Sequence, residues 1–265
     1  MGAATLGFMV VMTICVAAVC LTGYFREALE ALRRGAQRFP PGDTAARLVF
    51  LGLGPCALLC LTISYAEIIP LWVAFCWVVV PAYGTMLAVG VLAPSRGRLA
   101  LIGFLSGFLA TIVYDGVRLA LVYGSRGVDP IPHIGDHLLG TGSPWWVGYI
   151  WRLYGNGAGL GIVFAMLPKR LHTAVGGLVY GTVVGTGMLG ALYFFPQSQA
   201  HLFILGRATV VNGFFGHWAY GATLGALMSL AARRRRRRGE AVIERLPVVL
   251  PEPRVEAGNG VHRRR

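Results

Sequence analysis

The chain has 265 residues, 55% hydrophobic and only 13% charged, with a formal net charge of +13. A soluble domain carries about 25% charged residues, so an ordinary cytosolic enzyme is excluded. The mean hydropathy of +0.63 points instead to a chain that sits in a bilayer.

A hydrocarbon core of ~30 Å needs about 20 apolar residues in a helix. In chain order, runs of that kind lie near residues 3–25, 46–65, 70–92, 99–123, 144–167, 173–194 and 203–232. The first has no basic segment ahead of it and is too long for a cleaved signal, so it reads as a retained helix. The second and third are parted only by a turn around Glu67 and Pro70. The prediction is an all-α polytopic transmembrane helix bundle, with seven spans in residues 1–232. A basic tail, 233–265, has no helical period and is predicted to be disordered.

The basic residues orient this bundle. Of 24, twenty lie in segment 26–47, in two short turns (Arg96 and Arg98; Lys169 and Arg170) and in the tail. The opposite loops hold one, Arg126. That asymmetry predicts the N-terminus outside and the C-terminus cytoplasmic, in a bacterial plasma (inner) membrane. The run Arg233–Arg238 reads as an anchor at anionic headgroups, and no nucleic-acid partner is expected. Cys15, Cys20, Cys56, Cys60 and Cys76 all fall within spans and read as small apolar residues.

A Tyr-Gly element recurs with a small residue four positions after its glycine. It occurs at Tyr83-Gly84 with Ala88, Tyr154-Gly155 with Gly159, Tyr180-Gly181 with Gly185, and Tyr220-Gly221 with Gly225. Glycines at this spacing make flat helix faces on which another backbone packs closely.

Ionisable groups inside spans are costly and mark candidate sites. Asp115 and Arg152 each lie ~12 Å below the outer boundary, which makes an ion pair feasible. Arg118 is an i, i+3 neighbour of Asp115. Asn156 lies one turn below Arg152, and the last span adds Arg207, Asn212 and His217. One carboxylate facing up to three arginines leaves positive charge over. The candidate ligand-binding residues are therefore Asp115, Arg118, Arg152, Asn156, Arg207, Asn212 and His217, around an outward-facing cavity. In the outer loop 124–143, His133, Asp136 and His137 have metal-ligand spacing if helical. Pro130, Pro132 and Gly135 favour an irregular, solvated loop there instead.

No HExxH zinc motif, rhomboid-type serine motif or phosphate-binding loop is present, and no span holds a lysine for a retinal Schiff base. His217 has no second histidine at its depth, so no haem or other cofactor is expected. The function expected from these residues is a small permease or binding protein for a polar or anionic ligand, such as an anionic lipid or small anion, and not an enzyme. The alternative is a non-catalytic accessory subunit, or a homo-oligomer, packed through the glycine faces. A lipid-modifying enzyme centred on Asp115 or His217 is the third reading.

Overall fold

The computed structural model describes residues 42–124, 129–201 and 203–244, without the side chains of 235–244. Every element among them is helical. The first expected span, Cys15 and Cys20 lie outside the described residues. Among the described residues, four helical stretches are long and apolar enough to cross a membrane: Asp43–Tyr65, Leu71–Leu92, Pro94–Gly124 and Ala174–Phe194. Large apolar side chains such as Trp77, Leu101, Val183 and Phe194 face outward on these helices. This is the inversion expected where lipid replaces water as the solvent. The protein is all-helical among the described residues and is a multi-pass membrane protein in contact with the bilayer.

Helix α1 (Asp43–Leu53) and α2 (Cys56–Tyr65) form one span, broken at Gly54-Pro55 where proline has no N–H to give. Ala66–Pro70 then turns the chain, with Glu67 in the left-handed region at φ 59°. The second span holds α3 (Leu71–Ala74), a π-helical turn (Phe75–Val79) and α4 (Val80–Leu92). Pro81 is the second residue after the wide turn, and widening relieves the clash of its ring with the preceding turn. Helix α5 (Pro94–Gly124) runs unbroken for 31 residues, about 46 Å.

The expected irregular outer loop holds a helix instead, α6 (Ile131–Leu139). Pro132 falls in its first turn, where no intrahelical N–H is required, and Gly140, at φ 101°, ends it. Ile131, Ile134 and Leu138 form its buried face. Pro and Gly thus mark the ends of this helix rather than excluding one.

Next come α7 (Trp145–Ile150), a π-helical segment (Trp151–Ala158) and α8 (Gly159–Met166). A short 3-10 turn leads to α9 (Ala174–Phe194), whose first turn is capped by the Thr173 hydroxyl accepting from the Gly176 N–H at 3.0 Å. A second 3-10 turn, Pro196–Ala200, precedes α10 (Arg207–Glu244). The chain divides into two units, residues 1–231 and 232–265, and the arginine run belongs to the second.

Glycine seams hold the first unit together. A Cβ on Gly107 would stand 2.3 Å from the Gly157 carbonyl oxygen, and one on Gly161 2.2 Å from that of Gly103. The second seam pairs α9 with α10: a Cβ on Gly177 would lie 1.9 Å from the Gly221 oxygen, and one on Gly225 2.1 Å from the Thr173 oxygen. The faces carrying Gly221 and Gly225, which the sequence offered to a partner subunit, are filled by the chain's own α9.

The tyrosines of the repeat have a separate use. Tyr83 donates to the carbonyls of Tyr154 (2.9 Å) and Gly155 (3.3 Å). Tyr220 donates to Gly157 at 2.8 Å, and Tyr180 to Leu160 at 2.9 Å. Three hydroxyls from three helices thus meet carbonyls in or just after the π-helical segment. A π-turn disturbs the regular ladder, and an unpaired carbonyl at this depth would be costly.

Candidate functional site

The buried charges form a chain. Asp115 Oδ1 accepts from Arg118 Nε at 3.0 Å and from Arg152 Nε at 2.6 Å. Arg118 Nη1 donates to Asp129 Oδ1 at 2.6 Å, and Tyr149 Oη donates to Asp129 Oδ2. Asp129 Oδ1 also accepts the Ile131 N–H at 3.1 Å, so this carboxylate caps α6. Burial by itself would raise the Asp129 carboxyl, but the bonds from Arg118 and Tyr149 outweigh it and hold the group below its usual range. Arg118, Asp115 and Asp129 keep at most 9% of their side-chain surface exposed, which makes this a desolvated network rather than a surface pair.

Asp129 changes the charge balance read from sequence. Two arginines now face two carboxylates, and the surplus positive charge that favoured an anionic ligand is gone. The signal for it was Asp129-Pro130-Ile131-Pro132, an acid placed to cap a helix that opens with proline.

Below this network lies a cavity of about 320 Å³ between the membrane helices. Its walls are mostly apolar, from α2, α5, α6, α8, α9 and α10, and its polar lining includes Tyr65, Arg152, Asn156, Ser198 and His217. His217 donates Nδ1–H to the Gly213 carbonyl at 2.7 Å, which leaves Nε2 with the lone pair. Its ring meets Tyr114 edge-on at 5.0 Å, and the Arg152 guanidinium lies over the same Tyr114 ring at 4.3 Å. The Tyr65 hydroxyl, Asn156 Oδ1 and the Ser198 hydroxyl are buried with no hydrogen-bond partner. Of the candidate residues, Asp115, Arg118 and Arg152 are joined by ion pairs, and Arg152, Asn156 and His217 share the cavity. Arg207 is exposed, Asn212 is half-buried, and neither lines the cavity. Sequence reasoning missed Tyr65, Tyr114, Asp129 and Ser198.

The histidines of α6 do not form the triad that a helix here left open. His133 Nδ1 pairs with Asp136 at 3.3 Å, while His137 turns away and places Nε2 3.2 Å from His201 Nδ1. Tyr65 packs on both His137 and His201, and His201 Nε2 lies 3.6 Å from Glu67. Asp136 Oδ1 is engaged by the Ser143 N–H at 3.0 Å. His133, Asp136 and His137 therefore do not converge on one point, and among the described residues no group of three or more His, Cys, Asp or Glu could hold a metal ion.

This cluster predicts a pH effect. Burial first, then the neighbouring His201, lowers the His137 pKa below its ordinary 6.5. His172, whose Nε2 donates to the Phe164 carbonyl at 3.1 Å, is lowered mainly by burial as well. A base with a lowered folded-state pKa contributes fully above the unfolded value. Its contribution is lost as pH falls from about 6.5 through the lowered value, because the unfolded chain takes the proton first. Tm in mild detergent is expected to fall from about pH 6.5 to 5, and His137→Gln to flatten that slope. An unchanged slope in the variant would assign the effect elsewhere.

Comparison with known proteins adds one finding. Residues 157–250 match the PrsW family intramembrane metalloprotease model. The matched stretch is about a third of the chain and begins at the Gly157 seam. No curated protein and no solved structure matches the chain. The match points to an enzyme and overturns both the expected permease or binding protein and the expectation that the chain is not an enzyme. It gives no support to transport, and a lipid-modifying enzyme is not the main reading. The permease expectation rests on surplus positive charge, but Asp129 pairs with Arg118, and Arg207, outside the cavity lining, supplies none there.

A metalloprotease activity implies a metal centre. A catalytic zinc ion takes three protein ligands and keeps one open position. The cavity lining offers one ligand side chain of suitable chemistry, His217, and no cysteine or carboxylate. The described residues do not fit a metal centre there.

Proposed function

We propose that this chain is an intramembrane protease-type enzyme that receives an apolar polypeptide segment in the cavity beneath the Asp115 network. The observation that carries the reading is the family match, because the matched residues supply about half of the cavity lining, His217 and Tyr220 among them. Three further features support it. The walls are apolar enough for a membrane-embedded segment. Buried, unpartnered oxygens on Tyr65, Asn156 and Ser198 offer hydrogen bonds to a backbone. The π-helical segment that carries Arg152 and Asn156 is of a kind frequent at functional sites. Asp115, Arg118, Arg152, Asn156 and His217 are the site residues of this proposal.

The finer architecture belongs to the same reading: seven spans in a bacterial plasma membrane, the N-terminus outside, and a basic cytoplasmic tail. The distribution of arginine supports it.

Mapping of new protein N-termini in membranes from cells with and without the chain tests the activity. Termini falling within apolar spans, present only with the chain, are the expected result. Identical termini in both membranes would overturn the proposal.

A further inference from the structure

We infer that the cation of this chamber is the Arg152 guanidinium, and that the chamber holds no metal ion. The inference rests on the chamber reading above and concerns what recognises the substrate there. Its first ground is the donor set. His217 is the single imidazole in the lining, and its Nε2 is one ligand where about three are needed. Asp115, the nearest carboxylate in the network, has Oδ1 shared by two arginines. Its Oδ2 is buried and unpartnered, but Asp115 does not line the cavity. Cys56 and Cys60 belong to the apolar cluster around Tyr65 and Trp151 and do not line the cavity either.

The second ground is charge. Tyr114 carries Arg152 on its face and meets His217 with its ring edge-on. A dication on His217 Nε2 would share a low-dielectric chamber with a fixed guanidinium, and like charges repel strongly there. Asp115 holds that guanidinium in place through Nε alone.

The same geometry names a substrate group. A carbonyl oxygen entering the chamber meets the guanidinium donors of Arg152, and the neighbouring N–H meets Asn156 Oδ1, a buried acceptor with no partner. That pairing fits the neutral backbone amide of an apolar segment. Arg152 and Asn156 are binding residues in this account.

Elemental analysis of the full-length protein, purified in mild detergent without chelators, tests it. Well under 0.1 metal ion per chain, with no rise in Tm on adding zinc or cobalt, is the expected result. About one ion per chain that is lost in His217→Gln would overturn the inference. An ion that persists in His217→Gln and leaves with His137→Ala lies outside the chamber, and the inference stands. Should His217→Gln fail to fold, the wild type and a His137→Ala/His201→Ala variant decide: one ion per chain retained in both overturns it. The outcome separates from that of the protease reading. Span-internal cleavage by a protein whose metal ion is lost in His217→Gln sinks this inference alone, whereas a metal-free protein that produces no new termini sinks the protease reading alone.

Discussion

Gly177→Val is expected to destroy the packing of α9 on α10. The added Cβ would stand 1.9 Å from the Gly221 carbonyl oxygen and 2.8 Å from its carbon, and both are backbone atoms in a helix. No flexible side chain can give way, so the helices must separate along the seam. Overpacking usually costs about 1–3 kcal/mol, and a rigid backbone neighbour places this case at or above about 3 kcal/mol. Thermal unfolding in mild detergent measures it. Gly190→Val is the control, because nothing lies within 4 Å of the new atom there. Equal losses in the two variants would show that valine in α9, and not the seam, is responsible.

The second large effect is expected from Asp115→Ala. Arg118 keeps Asp129, but Arg152 loses its carboxylate and stays desolvated, with 15% of its side-chain surface exposed. Removing one partner of a buried pair costs about 3–5 kcal/mol, whereas replacing both partners by apolar groups is often neutral. Asp115→Ala/Arg152→Met should therefore recover most of the stability that Asp115→Ala loses. A double variant no more stable than the single one would mean that Asp115 acts mainly through Arg118.

These two variants also show which parts of the molecule were legible in the sequence. Asp115 and Arg152 could be matched because each sits at a computable depth in an apolar run, where charge needs a partner. The glycine faces of α9 and α10 could be read because the spacing of Gly181, Gly185, Gly221 and Gly225 is local, whereas Gly103 and Gly107 of α5 lie outside the Tyr-Gly repeat. Asp129 could not be placed in the same way, since its loop position hid the helix that it caps and the arginine that it meets. The hydroxyl bonds of Tyr83, Tyr180 and Tyr220 were equally hidden, because a π-helical segment leaves no hydrophobic period to detect. The enzyme reading was out of reach because His217 stands without any of the short motifs that announce metal or nucleophile chemistry. It came from similarity over residues 157–250 and not from a residue pattern.

The wide turns at Trp151–Ala158 have a consequence for how the site is kept in phase. A π-turn is in effect an α-helix with a residue inserted, and each added residue rotates everything beyond it by about 100°. Gly157 and Gly161 are locked against α5, so the accumulated rotation falls on the N-terminal half of the helix, where Arg152 resides. Deleting one residue there would let the helix relax to the ordinary α form and swing the Arg152 side chain away from Asp115. The insertion works like an offset between two gears: the lower teeth stay meshed, and the upper ones engage only at this setting.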